Sequence, residues 1–144
     1  MKISARNRFH GTVVACTSGA INAEVVIALA GGERLVAVVS CAAARELGLV
    51  AGREVIALVK APWVTVLAGQ GAAKLSARNC LAGRVRAVEG GAVNAQVSIE
   101  LADGTVVCAV VTRAAVAELG LRPCVEAKAV INASDIVLGV PNRT

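Results

Sequence analysis

The chain contains one module twice, in tandem, and equivalent positions align without a gap. The tetrapeptide Ser-Ala-Arg-Asn stands at residues 4–7 and returns at residues 76–79. The same offset of 72 residues gives 28 identities over the 64 positions from residue 4 to residue 67. A repeat of this kind means that one supersecondary unit is duplicated, so function is expected in what both copies retain.

Two modules of this size leave little room for a hydrophobic core, because a chain of roughly 60 to 70 residues buries only about 60 % of its unfolded surface. We expect the modules to span residues 1–68 and 74–144, with a linker at residues 69–73. Phe9 and Trp63 are the large aromatic residues, so the cores must consist of Val, Ala, Ile and Leu. Since 56 % of all residues are hydrophobic, we expect the modules to pack on each other and on further copies of the chain.

The residue pattern within one module predicts a small β-barrel. A short helix is expected after Ser40, a hydroxyl N-cap, and before Gly48, a glycine stop. Pro62 should interrupt the last strand because proline cannot donate to a ladder. Strands are predicted at residues 13–16, 22–29, 35–39, 55–59 and 64–67. The predicted fold class is mainly β: two tandem OB-like five-stranded barrel modules, each with one short helix.

Composition also predicts where the protein resides. The uncharged runs, such as residues 61–73, fall short of the roughly 18 apolar residues that cross a bilayer. No apolar leader precedes a cleavage motif, so we expect a cytoplasmic protein without membrane association. The five cysteines form no close pair, and none has an equivalent cysteine in the other repeat, so neither a disulfide nor a metal site is expected.

Catalysis and nucleic-acid binding both lack residues that they need. His10 is the only histidine and has no counterpart in the second repeat, so we expect no enzyme. The net charge of +5 suits an anionic partner. Phe9 and Trp63, however, are replaced by Leu81 and Asp135 in the second repeat, which removes the aromatics on which single strands stack. No nucleic-acid partner is expected, although an OB-type nucleic-acid binder stays open as an alternative.

Both repeats do retain hydrogen-bond donors that suit an oxyanion. A guanidinium can hold two oxygens, a hydroxyl holds one, and an ammonium adds a point charge. These donors are Ser4, Arg6, Ser40 and Lys60 in the first repeat and Ser76, Arg78 and Thr112 in the second. The alternative interpretation is that Ser40 and Thr112 only cap their helices while the arginines are solvated.

Several linked motifs resemble the Mop (TOBE-type) domain. After Ser-Ala-Arg-Asn come Gly-Thr-Val, Gly-Ala-Ile-Asn-Ala-Glu-Val, Glu-Leu-Gly-Leu and Lys-Ala-Pro-Trp-Val, and related motifs follow in the same order in the second half. The chain is similar to tandem Mop-domain proteins, the molbindins. That resemblance implies a homotrimer that binds molybdate or tungstate as an intact oxyanion between Mop domains, for molybdenum storage or homeostasis. An oxyanion-sensing module of a transport or regulatory system stays open.

The resemblance also assigns residues to the site, with no catalytic residue and no direct side-chain ligand to the metal. The oxyanion-binding residues would be Ser4, Arg6, Ser40, Ala43, Lys60, Ala61, Ser76, Arg78, Thr112, Ala115, Asn132 and Ala133. A second site, on a three-fold axis, would use the turn residues Ala20, Ile21, Asn22, Ala92, Val93 and Asn94. Related domains often carry a hydroxyl at Ala43 and Ala115, where the backbone N–H is expected to serve instead.

The resemblance implies that two walls from different Mop domains form each site. Ser76 and Arg78 would face Ser40 and Lys60 while Ser4 and Arg6 face Thr112 and Ala133, and the sequence leaves open which copies meet. Asn132 stands where the first repeat has Lys60, so one positive charge is lost beside a dianion. We therefore predict two unequal classes of site, of which the Lys60 class is the tighter.

Overall fold

The computed structural model describes residues 3–69 and 75–141, which form ten strands, two short helices and two 3-10 turns. The first repeat contains β1 (Asn7–Ser18), β2 (Asn22–Leu29), β3 (Arg34–Ser40), α1 (Cys41–Leu47), β4 (Glu54–Val59), the 3-10 turn η1 (Ala61–Trp63) and β5 (Thr65–Ala68). The second contains β6 (Asn79–Gly90), β7 (Asn94–Leu101), β8 (Val106–Thr112), α2 (Arg113–Leu119), β9 (Glu126–Ile131), η2 (Ala133–Asp135) and β10 (Val137–Gly139). The predicted mainly β class with one helix per repeat is confirmed. Residues 70–73 of the expected linker lie outside the described residues.

Each five-stranded sheet includes one strand from the other repeat. The strand orders are β10-β4-β1-β2-β3 and β5-β9-β6-β7-β8, and neighbouring strands are antiparallel. The prediction that residues 55–59 and 64–67 form one interrupted strand of a single barrel is therefore wrong. η1 contains Pro62, which cannot extend a ladder, and the turn sends β5 into the sheet of the second repeat. Neither barrel is built from one repeat alone.

The core is continuous between the two repeats because the strands alternate buried and outward-facing side chains. In β2 every second residue from Ala23 to Leu29 is buried, and β7 repeats the pattern. Ile27 and Ile99 are fully buried in one hydrophobic cluster that draws on both sheets. Among the described residues no helix is long and apolar enough to cross a membrane.

Two buried asparagines join the sheets at their edges. Asn7 Nδ2 donates to the Cys108 carbonyl at 2.8 Å, and the Cys108 N–H donates to Asn7 Oδ1 at 2.7 Å. Asn79 makes the equivalent pair of bonds with the Val36 backbone, each at 2.8 Å, and also donates to the Ile131 carbonyl at 3.3 Å. Both side chains are 2 % exposed. Each asparagine side chain therefore satisfies one backbone N–H and one backbone carbonyl of an edge strand that belongs to the other repeat.

The tips of the β2–β3 and β7–β8 hairpins meet at equivalent positions of the two repeats. Gly31 lies against the carboxylate of Asp103, and a side chain at Gly31 would overlap it. The Thr105 N–H donates to Asp103 Oδ1 at 2.9 Å. This bond, with a smaller contribution from the Glu33 backbone N–H, outweighs burial and lowers the pKa of Asp103. Only one of the two equivalent positions can carry a side chain here.

Both helices are capped as predicted. The Ser40 side chain accepts the Ala43 N–H at the start of α1, and Gly48 ends the helix in the left-handed conformation with φ 64°. Thr112 and Gly120 have the same functions around α2. The caps fix where β3 and β8 end, and these ends carry two of the candidate hydroxyl donors.

Cys124 is the one non-glycine residue within the described ranges that has a positive φ, at 76°. Gly52 occupies the equivalent position with φ 94°, and each residue donates its N–H to β1 or β6 at 2.8 to 2.9 Å. Because a left-handed conformation costs a side-chain-bearing residue roughly 1–2 kcal/mol, partly offset by glycine's extra unfolded-state entropy, Cys124→Gly should stabilise the protein by about 0.5–1 kcal/mol. Urea unfolding measures this gain, and Gly52→Ala is the reciprocal control that should destabilise. Loss of stability in Cys124→Gly would contradict the conclusion that the Cys124 backbone is strained.

Candidate functional site

Strand register brings two candidate cations to the same end of the first sheet. The pairing of β1 with β4 ends at Asn7 opposite Val59. Arg6 immediately precedes β1 and Lys60 immediately follows β4, and both residues are exposed. Two positive charges therefore adjoin this end of the sheet. We call Arg6 and Lys60, with the neighbouring Ser4 and Ala61, the Arg6 cluster.

The second sheet repeats the arrangement with one charge fewer. The pairing of β6 with β9 ends at Asn79 opposite Ile131, so Arg78 and Asn132 are the next residues. Both are exposed, as is Ser76. We call Ser76, Arg78, Asn132 and Ala133 the Arg78 cluster. The Asn132 amide can donate hydrogen bonds to an oxyanion. The Arg78 cluster has no positive charge, however, at the position where the Arg6 cluster has Lys60.

Each cluster adjoins a 3-10 turn that packs on a strand of the other repeat. η1, which follows Lys60, packs on β8, the strand that ends at Thr112, whereas η2 packs on β3, which ends at Ser40. The asparagine bonds described above hold the leading segments over the same two strands. The segment with Ser76 and Arg78 thus lies beside the strand that ends at Ser40, and the segment with Ser4 and Arg6 lies beside the strand that ends at Thr112.

The two alanines assigned to the site bury their side chains. Ala61 is 2 % exposed and Ala133 is 6 % exposed. Their carbonyls accept backbone N–H groups from Val64 and Ile136, which closes the two 3-10 turns. Any contact of Ala61 or Ala133 with an anion must therefore use the main-chain N–H. Their role in the fold is to turn the chain into the other sheet.

The helix starts offer fewer free donors than the sequence suggests. Ala43 and Ala115, whose N–H groups were expected to contact the anion, donate to Ser40 Oγ and Thr112 Oγ1, each at 3.0 Å. The Cys41 N–H donates to the Ile21 carbonyl at 2.8 Å. A hydroxyl that accepts one N–H still has its own proton to donate. The useful donors at these positions are therefore the hydroxyls of Ser40 and Thr112.

The turns assigned to a second site adjoin the first. Asn22 lies opposite Ser40 in the β2–β3 ladder, and Asn94 lies opposite Thr112 in the β7–β8 ladder. Ala20 and Ala92 are exposed in the same turns. Ile21 and Val93, at equivalent positions, are 77 % and 71 % exposed. A large aliphatic side chain this exposed in both repeats favours contact with another copy of the chain.

An acidic residue that the sequence interpretation did not assign to the site contacts Arg78. Glu24, on β2, accepts two hydrogen bonds from the guanidinium: Arg78 Nη1 to Oε2 at 2.9 Å and Nη2 to Oε1 at 3.2 Å. Gln96 stands at the equivalent position in β7. The alignment of the two repeats contains this signal, since it pairs a charged residue with a neutral one. Over residues 3–69 and 75–141, no three His, Cys, Asp or Glu side chains are grouped to hold a metal ion.

Fold and donors together define a class: a tandem β-barrel repeat protein with exposed cationic, hydroxyl and amide donors at its strand ends. Comparison with known families agrees with the duplication. The TOBE domain matches residues 3–66 and again residues 75–138. The chain belongs to the TOBE domain family, and its resemblance to tandem Mop-domain proteins is confirmed.

Two relatives are named for molybdenum-pterin binding and for molybdenum transport. The chain is 41 % identical over 141 residues to the molybdenum-pterin-binding protein MopA of Rhodobacter capsulatus, covering 98 % of this chain and 53 % of MopA. It is also 41 % identical over 140 residues to the molybdenum transport protein ModE of Azotobacter vinelandii, covering 97 % of this chain and 52 % of ModE. The chain thus spans about half the length of these relatives.

A solved structure matches over nearly the full length of this chain and the full length of its own. It is the cytoplasmic molybdate-binding protein ModG, crystallised with molybdate bound. The sequence identity is 56 %, the TM-score is 0.95, and the match covers 98 % of this chain and 100 % of ModG. The exchange of strands between repeats therefore belongs to a fold that is known to occur in a molybdate-binding protein.

Proposed function

We propose that this chain binds molybdate as an intact tetrahedral dianion, through hydrogen bonds and charge and without a chemical step. The observation that carries the proposal is the Arg6 cluster, in which Arg6 and Lys60 adjoin the same end of the β1–β4 ladder, and η1, directly after Lys60, packs on β8, the strand that ends at Thr112. A fork of two N–H donors, an ammonium and a hydroxyl match the four oxygens of such an anion. The similarity to molybdate-bound ModG supports the same ligand.

Exposure of the donors supports a site that is completed between copies of the chain. Ser4, Arg6, Lys60 and Thr112 are all exposed in one chain. Water and salt weaken charge interactions at such positions, so strong binding requires that a second copy cover them. The exposed Ile21 and Val93 supply apolar surface for that contact. We propose a homotrimer with oxyanions at its interfaces, and the asparagine turns as a second site at its three-fold axis.

The biological role that fits is cytoplasmic molybdenum storage or homeostasis, with tungstate as a second ligand and no enzymatic activity. Tungstate has the same charge and nearly the same size, so hydrogen bonding and charge alone favour neither anion strongly. A second candidate role follows from the ModE relatives, of which this chain covers about half: the same binding unit would sense molybdate for a transport or regulatory system.

Molybdate loading tests the proposed function. Purified protein is titrated with molybdate by calorimetry, then desalted for metal analysis, and its mass is measured under native conditions. We expect saturable binding, retained molybdenum and a mass of three chains, with tungstate competing more effectively than sulfate or phosphate at equal concentration. A single-stranded oligonucleotide is the control ligand. Binding of the oligonucleotide combined with no heat from molybdate would contradict the proposal.

A further inference from the structure

The two donor clusters differ in charge by more than the exchange of Lys60 for Asn132. The Arg6 cluster contains two cations, and the second repeat has the neutral Gln96 at the position equivalent to Glu24. The Arg78 cluster contains one cation, and Glu24 neutralises it. The Arg6 cluster thus carries a formal charge of two, whereas the Arg78 cluster taken with Glu24 carries none. The duplication has kept the arginine while changing both of its neighbours.

Glu24 occupies the part of Arg78 that an oxyanion would use. Its two carboxylate oxygens accept from both terminal nitrogens of the guanidinium, which is the fork geometry that recognises two oxygens of an anion. Side-chain exposure is 55 % for Arg78 and 38 % for Glu24, so the pair is open to solvent and to an incoming ligand. The position of the Glu24 backbone is fixed by β2, because Glu24 lies opposite Val38 in the β2–β3 ladder.

We propose that Glu24 is an internal counter-ion that competes with the oxyanion for Arg78, so that the chain has one high-affinity and one low-affinity anion position. This inference rests on the proposed function and deepens it by naming the residue that sets the difference. A dianion that reaches Arg78 must either displace the Glu24 carboxylate or lie directly beside it. In the second case the two negative groups repel each other. The Arg6 cluster therefore fills first, and the Arg78 cluster fills only when the anion is abundant.

A reciprocal exchange of Glu24 and Gln96 tests the inference. Glu24→Gln keeps the size and removes the charge, and it should tighten the weaker class of molybdate sites by about three- to tenfold, as expected for the loss of a competing exposed ion pair. Gln96→Glu should weaken the tighter class by a similar factor, because it gives Arg6 the same competitor. Calorimetric titration of the full chain with molybdate reads both changes, and native mass confirms that each variant assembles as the parent protein does.

Glu46→Gln is the matched control, since it removes the same charge from the exposed face of α1 in the same repeat. It should leave both classes unchanged within about twofold, the size of a screened long-range effect. If Glu24→Gln changes neither class, or changes both classes as little as Glu46→Gln does, the competition is refuted while molybdate binding stands. If the parent protein takes up no molybdate at all, both proposals fail.

Discussion

Asn7→Ala and Asn79→Ala are each expected to lower the free energy of unfolding by about 2–4 kcal/mol. Each substitution leaves backbone N–H and carbonyl groups of an edge strand without their hydrogen-bond partners. Removing the Asn7 amide leaves the N–H and carbonyl of Cys108 without their partners and opens a small cavity. Asn79 also donates to the Ile131 carbonyl, so its loss should cost at least as much. Urea unfolding followed by circular dichroism measures both values.

Asn132→Ala is the control for this prediction. Asn132 is exposed and makes no side-chain capping bond at the start of η2, so the change should stay within about 0.5 kcal/mol of the parent protein. Equal stabilities for Asn7→Ala and Asn132→Ala would show that the edge strands do not depend on the asparagine bonds. The double variant Asn7→Ala, Asn79→Ala should fail to fold, since both sheets would lose the same connection.

The secondary structure could be predicted from sequence wherever local pattern decides it. Residues 22–29 form β2 with the predicted bounds, because alternation of apolar residues and the flanking turns mark both ends. The caps at Ser40 and Gly48 were predictable for the same reason, since a hydroxyl and a glycine satisfy the helix ends locally. Because the two repeats are similar in sequence, each strand or cap predicted in the first repeat is also predicted in the second.

The exchange of strands could not be predicted in this way. Residues 64–67 have the same pattern whether β5 joins its own repeat or the other one, because alternation specifies a buried face and not a partner. Asn7 and Asn79 belong to a tetrapeptide whose polar residues all suit a ligand. Only the three-dimensional structure separates them: the arginine faces solvent and the asparagine is buried against the other repeat's edge strand.

The grouping of the candidate site depends on the same long-range packing. Arg6 and Lys60 are more than fifty residues apart in sequence, and only the β1–β4 register shows that they adjoin the same end of one sheet. The resemblance to Mop-domain proteins placed Lys60 and Ser40 on one wall of a site, and that grouping stays a prediction. Within one chain, strand exchange brings η1, the turn after Lys60, onto β8, the strand that ends at Thr112. The exchange of Glu24 for Gln96 between the repeats is visible in their alignment, but the location of Glu24 beside Arg78 is not.

Lys60→Ala is expected to weaken the tighter class of molybdate sites by about 10- to 100-fold, the value of one charge-assisted hydrogen bond to a dianion. The reason is that Lys60 supplies half of the positive charge of the Arg6 cluster. The weaker class should change little, because Asn132 already occupies the equivalent position there. Calorimetric titration of the assembled protein gives the affinity and the number of sites in each class.

Lys128→Ala removes the same charge from β9, where the residue is half-buried and lies outside both clusters, and it should leave the tight class within about twofold of the parent value. Asn132→Lys makes the opposite change at the Arg78 cluster and should tighten the weaker class. With Glu24 still paired to Arg78, that gain should remain smaller than the loss in Lys60→Ala. One uniform class of sites, insensitive to Lys60→Ala, would show that the two repeats bind the anion alike.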